Sequence, residues 1–295
     1  MIYVVGHTAI DHILEVNFLA EKHQSAQILD HHVYYGGGAA NIAAGIANLS
    51  GDACLVSAVG ADFEGSDYER WLSELGVDCD FFVDQEHRTA TAYMINDPDN
   101  DQITYFEWGA SALFGYMDAP ELDFVHMATA DPSFNLKVAE KSGFASFDPG
   151  QDIHKYSAED FETIIGNINI LFANRHEVAT MCSKLGIGES ELRERVEIAV
   201  FTMDAGGSVL YSGGEEYHVP IIPVDVADPT GAGDAYRAGF LTAFERGYDP
   251  LTAARIGTTA ASFVVEKVGC QTNLPDWGTM KTRYENAFGK LDEIT

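Results

Sequence analysis

A chain of 295 residues, 46% of them hydrophobic, can bury one large core, or a core with a small appended subdomain, so disorder is not expected. Its 17 Lys and Arg stand against 46 Asp and Glu, a formal charge of −29, which argues against nucleic-acid binding, since phosphate contacts need a basic stripe. There is no apolar run of about 18 residues, and Met1-Ile2-Tyr3-Val4-Val5-Gly6 has neither a basic leader nor a cleavage site, so the chain reads as soluble, cytoplasmic and free of the membrane.

Along the chain, β-branched and aromatic runs at 2–6, 54–60, 124–127, 144–147, 168–172 and 199–203 predict buried strands. Helical spacing predicts helices over 39–49, 68–75, 133–141, 158–165, 177–185, 232–246, 251–265 and 276–288, the last with Asp276 as N-cap. This alternation defines an α/β fold with a mainly parallel sheet. Two regions depart from it. Residues 12–16 with 31–35, and 89–96 with 102–108, read as strand pairs without an intervening helix, the second joined by Asp97-Pro98-Asp99-Asn100-Asp101. They predict a small sheet on a single domain spanning 1–295, inserted at about 12–35 and 88–108. Cys54, Cys79, Cys182 and Cys270 form no CxxC pair and read as reduced, buried thiols. The histidines lack HxxxH or HExxH spacing, and adjacent His31 and His32 would face opposite sides of a strand, so a zinc enzyme is disfavoured.

The chemistry is concentrated in Asp228-Pro229-Thr230-Gly231-Ala232-Gly233-Asp234-Ala235-Tyr236-Arg237-Ala238-Gly239-Phe240. Small residues opening a helix let the N–H groups of Gly231, Ala232 and Gly233 close on an anion, with the helix dipole favouring negative charge. Asp234, just inside, is a candidate base. The run resembles the C-terminal signature of the ribokinase/PfkB family of carbohydrate and nucleoside kinases. The resemblance implies a three-layer ribokinase-like fold with a β-lid, and an ATP-dependent kinase in which Asp234 deprotonates an acceptor hydroxyl.

Other segments extend the resemblance. Asn174-Arg175-His176-Glu177 matches the family's Asn-x-x-Glu motif, implicated in placing Mg²⁺ and phosphate, although Asn174 and Glu177 at N-cap and N3 would also make a capping box. Gly6-His7-Thr8-Ala9-Ile10-Asp11 and Gly36-Gly37-Gly38-Ala39-Ala40-Asn41 match positions that hold the sugar. There Asp11 and Asn41 can bond vicinal hydroxyls, while Gly37 and Gly38 let backbone approach the ring. On the nucleotide side Thr202 and Gly207 fit the family's T-x-G-x-x-G turn, but Asp204 replaces its middle glycine; it would accept a ribose hydroxyl or face solvent. Gly269 and Asn273 fall in the stretch that flanks adenine. In many members that stretch also holds a monovalent cation with Asp228 and Thr230, which implies a K⁺ requirement.

Phe147-Asp148-Pro149-Gly150-Gln151-Asp152 resembles the DPGQ segment of archaeal nucleoside-type members, so a ribosyl acceptor is expected. A nucleoside would stack its base on lid aromatics such as Tyr93, Phe106 or Trp108. Ribose 1-phosphate would need cations, for which Arg88, Arg175, His7 and His12 are the candidates, and two arginines near the site in a chain so poor in cations tip the balance slightly towards this phosphosugar. A hexose or 2-keto-3-deoxygluconate kinase of the same family is the alternative, and a catalytically silent nucleotide-binding regulator is the reading from another class. The family further suggests a homodimer through the lid. The acidic composition resembles that of cytoplasmic proteins of salt-accumulating halophiles, in which screening within ~3 Å at ~1 M salt removes the repulsion between the protein and ATP.

Overall fold

The computed structural model describes residues 1–99 and 101–294. The strands in chain order are β1 (Ile2–Val5), β2 (Ala9–Val16), β3 (Ile28–Gly36), β4 (Ala53–Gly60), β5 (Asp78–Asp84), β6 (Ala90–Asn96), β7 (Gln102–Glu107), β8 (Phe124–Met127), β9 (Phe144–Phe147), β10 (Ile170–Asn174), β11 (Ile198–Thr202), β12 (Ser208–Ser212) and β13 (Glu215–Val219). The helices are α1 (Gly38–Asn48), α2 (Asp67–Leu75), α3 (Pro132–Lys141), α4 (Ala158–Ile165), α5 (Arg175–Leu185), α6 (Glu189–Glu194), α7 (Ala232–Glu245), α8 (Pro250–Val264) and α9 (Trp277–Phe288). Nine strands form the main sheet in the order β13-β12-β11-β10-β9-β8-β1-β4-β5, parallel from β11 to β5 and closed at one end by an antiparallel hairpin.

Its central strands are apolar on both faces because each face carries a helical layer. On β10, Ile170 and Phe172 point to one layer with α1, α7 and α8; Leu171 and Ala173 point to the other, with α3, α4 and α5. The register Ile170↔Ile198 and Leu171↔Ala199 continues that division into β11. This is the three-layer α/β fold with a mainly parallel sheet expected from the sequence, and the predicted main-sheet strands and helices recur with ends shifted by no more than one or two residues.

β5, β12, β13 and α6 had no counterpart among the expected elements. β5 is an edge strand whose Asp78, Asp80 and Asp84 hide its strand character, a common protection against edge pairing. The hairpin β12–β13 turns on Gly213-Gly214, both at positive φ (61° and 82°), a legible two-residue turn signal. All four cysteines are free, but only Cys54 and Cys270 are buried; Cys79 on the β5 edge is exposed and Cys182 half-buried.

The second sheet has the order β3-β2-β6-β7, with β2 and β6 parallel. Its strands β2 and β3 begin earlier than expected, and Asn100 of the predicted turn lies outside the described residues. β2 leaves β1 after Gly6-His7-Thr8, so the small sheet is rooted beside the C-terminal ends of the parallel strands, where α/β folds place their ligands. Asp11 pairs with Ala92, Ala92 with Phe106 and Met94 with Thr104, and these side chains line the cleft between the two sheets.

Candidate active site

The cleft holds about 770 Å³ and runs from the small sheet across the start of α7 to the β11 end. Gly231 is the N-cap of α7 with φ +79°, and a Cβ there would lie 2.9 Å from Cys270 Sγ, so the position requires glycine. Having no side chain, it leaves the helix start without a capping group, and Gly231, Ala232, Gly233 and Asp234 all line the cleft. Of the three expected anion donors, the Ala232 N–H already donates to Pro229 O at 3.2 Å.

Asp234 Oδ2 accepts a hydrogen bond from Asn41 Nδ2 at 2.9 Å. Burial pushes its carboxyl up to about 6, opposed by the Arg237 guanidinium and the Asn41 bond. Arg237 Nη1 lies 3.9 Å from Asp234 Oδ1, and Nη2 is paired with Asp148 Oδ2 at 2.7 Å, both partners of that pair being almost wholly buried. The sequence reading missed Arg237 and gave Asp148 no role. The signal was available, since Arg237 follows Asp234 by three residues on a helix otherwise lined by Ala235, Tyr236, Ala238 and Phe240, and residues at that spacing share a face.

Asp11, Gly37, Gly38 and Asn41 all line the cleft beside the small sheet. Gly37 has φ +91°, and a Cβ there would lie 2.5 Å from His7 O. The Asp11 carboxyl is raised to about 7 by burial and by the charges of Asp234 and Asp228. Asn174 and Glu177 also line the cleft, and they make the capping box: Asn174 Oδ1 accepts from the His176 and Glu177 N–H groups, while Glu177 Oε2 accepts from Asn174 N at 2.7 Å. The box uses one Glu177 oxygen. Burial, reinforced by Asp148, raises the Glu177 carboxyl to about 7. Thr202, Asp204, Gly207 and Thr230 line the other end. Among the described residues no cluster of three or more His, Cys, Asp or Glu could hold a metal ion.

Several expected ligands lie elsewhere. Arg88 is exposed outside the cleft. Arg175, the first residue of α5, projects from the surface and pairs with the equally exposed Asp204 at 2.6 Å. Asp204 is thereby tied to a cation at the cleft rim. His12 stacks between His31 and Tyr93 rather than lining the cleft, which removes Tyr93 as a base platform as well. His7 does line the cleft, bonded through Nδ1 to Ser111 Oγ at 2.9 Å and packed on Phe106 and Trp108. Burial lowers its pKa, so it is neutral there and no phosphate cation. Asp228 spends both carboxylate oxygens on the N–H groups of Thr230 and Gly269, joining two loops. Gly269 packs beneath Tyr34 of β3, and Asn273 Nδ2 donates to Phe263 O; neither lines the cleft.

A half-buried carboxylate at an open helix N-terminus in a long cleft suits a phosphotransferase acting on an alcohol. The chain belongs to the pfkB family of carbohydrate kinases, whose model matches residues 1–277. It is 44% identical over 288 residues to the nucleoside kinase of Methanocaldococcus jannaschii, covering 95% of each chain, and 41% identical to that of Methanothermobacter thermautotrophicus, covering 97% and 96%. The crystal structure of the former, an archaeal member of the ribokinase family, superposes with a TM-score of 0.92 over 97% of this chain and 98% of that one. The Burkholderia thailandensis nucleoside kinase in complex with inosine matches at 0.88 with 26% identity, covering 98% of both chains.

Proposed function

We propose that this kinase phosphorylates the primary hydroxyl of a nucleoside, with ATP as donor. The observation that carries the reading is the charge of the cleft lining. Its only basic side chains among the described residues are His7, held neutral, and Arg237, committed to Asp148 and Asp234. Asp11, Asp148, Asp152, Glu177, Asp204 and Asp234 make the rest of the lining acidic. An acceptor carrying its own phosphate or carboxylate has no free cation to meet, which disfavours ribose 1-phosphate and the sugar acids. An uncharged nucleoside suits the site: Asp11 and Asn41 for ribose hydroxyls, with Phe106, Met94 and Ala92 beside an apolar base. The names of the archaeal relatives and the inosine complex support the same choice.

In this reading Asp234 Oδ accepts the hydroxyl proton as the oxygen attacks the γ-phosphorus, and the open N–H groups at the start of α7 take the charge that develops on the phosphoryl oxygens. Arg237 keeps Asp234 ionised. Mg²⁺, which retains several waters, suits the Glu177 oxygen left outside the capping box, and it would neutralise phosphate charge when bound with the nucleotide. The bonds from Asp228 to the Thr230 and Gly269 N–H groups shape the loop pair proposed for K⁺. The small sheet is proposed as a lid that excludes water. Exposed Ile28, Leu29 and Val33 on its outer strand support lid-to-lid pairing of two copies, which sedimentation in high salt would test.

The deciding experiment measures ADP release in high KCl with Mg²⁺ and ATP, offering inosine, other nucleosides, ribose, ribose 1-phosphate, fructose and 2-keto-3-deoxygluconate. A nucleoside should be used with the highest kcat/KM, and Asp234→Asn should lower kcat by about 10²–10⁴-fold, the contribution of a general base. Preference for ribose 1-phosphate, or near-normal turnover by Asp234→Asn, would reject the reading.

A further inference from the structure

The amide that Asn41 presents to Asp234 has two ends, and only the NH₂ end stabilises a carboxylate. What fixes the correct end lies behind it. Gln271, in the loop after α8 and 6% exposed, donates from Nε2 to Asn41 Oδ1 at 2.9 Å and to the Tyr68 hydroxyl at 2.7 Å. Tyr68 passes its own proton to Gly36 O at 2.8 Å. Gln271 Oε1 accepts from Trp71 Nε1 at 2.9 Å. Two ends hold this chain against reversal, which would turn Asn41's carbonyl towards Asp234: the Gly36 carbonyl can only accept and draws the proton of the rotatable Tyr68 hydroxyl, and the Trp71 indole nitrogen, which has no rotor, can only donate. With Trp71 facing it, Gln271 must present its oxygen to α2 and its NH₂ to Asn41, which in turn must present its own NH₂ to Asp234.

We propose that Trp71, through Gln271 and Asn41, sets the polarity of the hydrogen bond made to Asp234, so that Trp71 and Gln271 are positioning residues for the base. The proposal rests on the reading of Asp234 as that base. Without the indole N–H, reversal no longer sets two N–H donors against each other; it costs the Tyr68 bond to Gly36 O, whose proton turns to Gln271 Oε1, and it is open when Asp234 is protonated, because the Asp234 O–H can then donate to the Asn41 carbonyl. Loss of Trp71's proton therefore favours protonated Asp234. The other charged or titratable groups around Asp234 are Arg237 on α7, Asp148 after β9, Glu177 on α5, Asp11 on β2 and Cys270 beside Gln271. A Trp71 variant alters none of them, and Trp71 itself carries no charge.

The test titrates Asp234 directly, by carbon NMR of protein labelled at the Asp carboxyl in high KCl, with the Asp234 signal assigned by its loss in Asp234→Asn. In Trp71→Phe the midpoint should rise by about 0.5–1 pH unit, the value of one hydrogen bond. In Gln271→Met, where the relay is absent, adding Trp71→Phe should give no further rise. An unmoved midpoint in Trp71→Phe overturns the proposal, as does an equal rise in the Gln271→Met background; if Gln271→Met does not fold, Trp71→Phe alone decides. A merely structural tryptophan would lower Tm and leave the midpoint in place. Because the titration needs no acceptor, a shifted midpoint in a protein that phosphorylates no nucleoside rejects the proposed function and leaves this inference standing.

Discussion

Replacing Arg237 by Met removes the guanidinium that faces Asp148, Asp234 and Glu177. Its guanidinium is 3.9 Å from Asp234 Oδ1 and 2.7 Å from Asp148 Oδ2. At an effective dielectric constant of about 20, a unit charge at that first distance is worth up to ~4 kcal/mol, or ~3 pH units; reorganisation and water entry reduce this, so a rise of about 1–3 units is expected. The Asp234 carboxyl now sits at about 6. Raised to between about 7 and 9, it would be largely protonated at neutral pH, and kcat/KM at pH 7 should fall about two- to hundredfold, with recovery in alkali. The assay is kcat/KM for the nucleoside from about pH 5 to 9.5 in high KCl, whose acid limb reports the free enzyme's base. Arg237→Met also strands the buried Asp148 charge at a cost of about 3–5 kcal/mol. Adding Asp148→Asn should restore most of the Tm and relieve part of the acid-limb shift while leaving the remainder. An acid limb that stays near its wild-type position in both variants would refute the role given to Arg237.

Asp11→Asn should raise stability while lowering kcat/KM. The folded-state carboxyl of Asp11 titrates at about 7, above its unfolded value, so its favourable contribution holds at low pH and is lost as pH rises through 7. The gain in the Asn variant is therefore bounded at ~4 kcal/mol above pH 7 and vanishes below about pH 4; Tm against pH would expose a gain that is uniform, and so unrelated to ionisation. Gly231→Ala must hold φ +79° with a Cβ 2.9 Å from Cys270 Sγ. A cost of about 1–3 kcal/mol and a marked fall in kcat are expected, and unchanged kinetics would show that this turn does not hold the transferring group. With a formal charge of −29, Tm should climb steeply between about 0.1 and 2 M KCl as repulsion is screened, and a flat dependence would remove the halophilic reading.

Local pattern carried the elements that bury two faces. Residues 124–127 and 144–147 are short, apolar and bounded by turns, and both are strands to the residue. β5 escaped because its aspartates serve an edge rather than a core, so its alternation is one of charge. The helix start at Gly231 and the place of Asn41 in the cleft lining were legible because each sits in a contiguous run whose backbone chemistry is local. Arg88 and Arg175 misled for the opposite reason. Both stood as candidates for an acceptor's phosphate in a chain poor in cations, but where a guanidinium points depends on the turn that carries it, and Arg175 points outward to Asp204. Gln271 could not have been found from sequence at all, since its partners Asn41, Tyr68 and Trp71 lie 200 or more residues away along the chain.

The order of the raised carboxyls assigns their work. Asp11 and Glu177 are held at about 7 and Asp234 at about 6, all three by burial. Asp234 lies lowest because it alone has both the Arg237 guanidinium and the Asn41 amide beside it. Groups this close titrate as a set, and as pH rises the first proton leaves the best-stabilised carboxylate. Near neutral pH that favours the negative charge on Asp234, the proposed base, while Asp11 and Glu177 are raised further towards protonation, which limits the repulsion that an incoming polyphosphate meets. Asp11, in that state, can donate to one ribose hydroxyl as well as accept from it. Different environments around similar carboxyl groups thus separate the proposed base from its neighbours, through one arginine and one amide that meet at Asp234 alone.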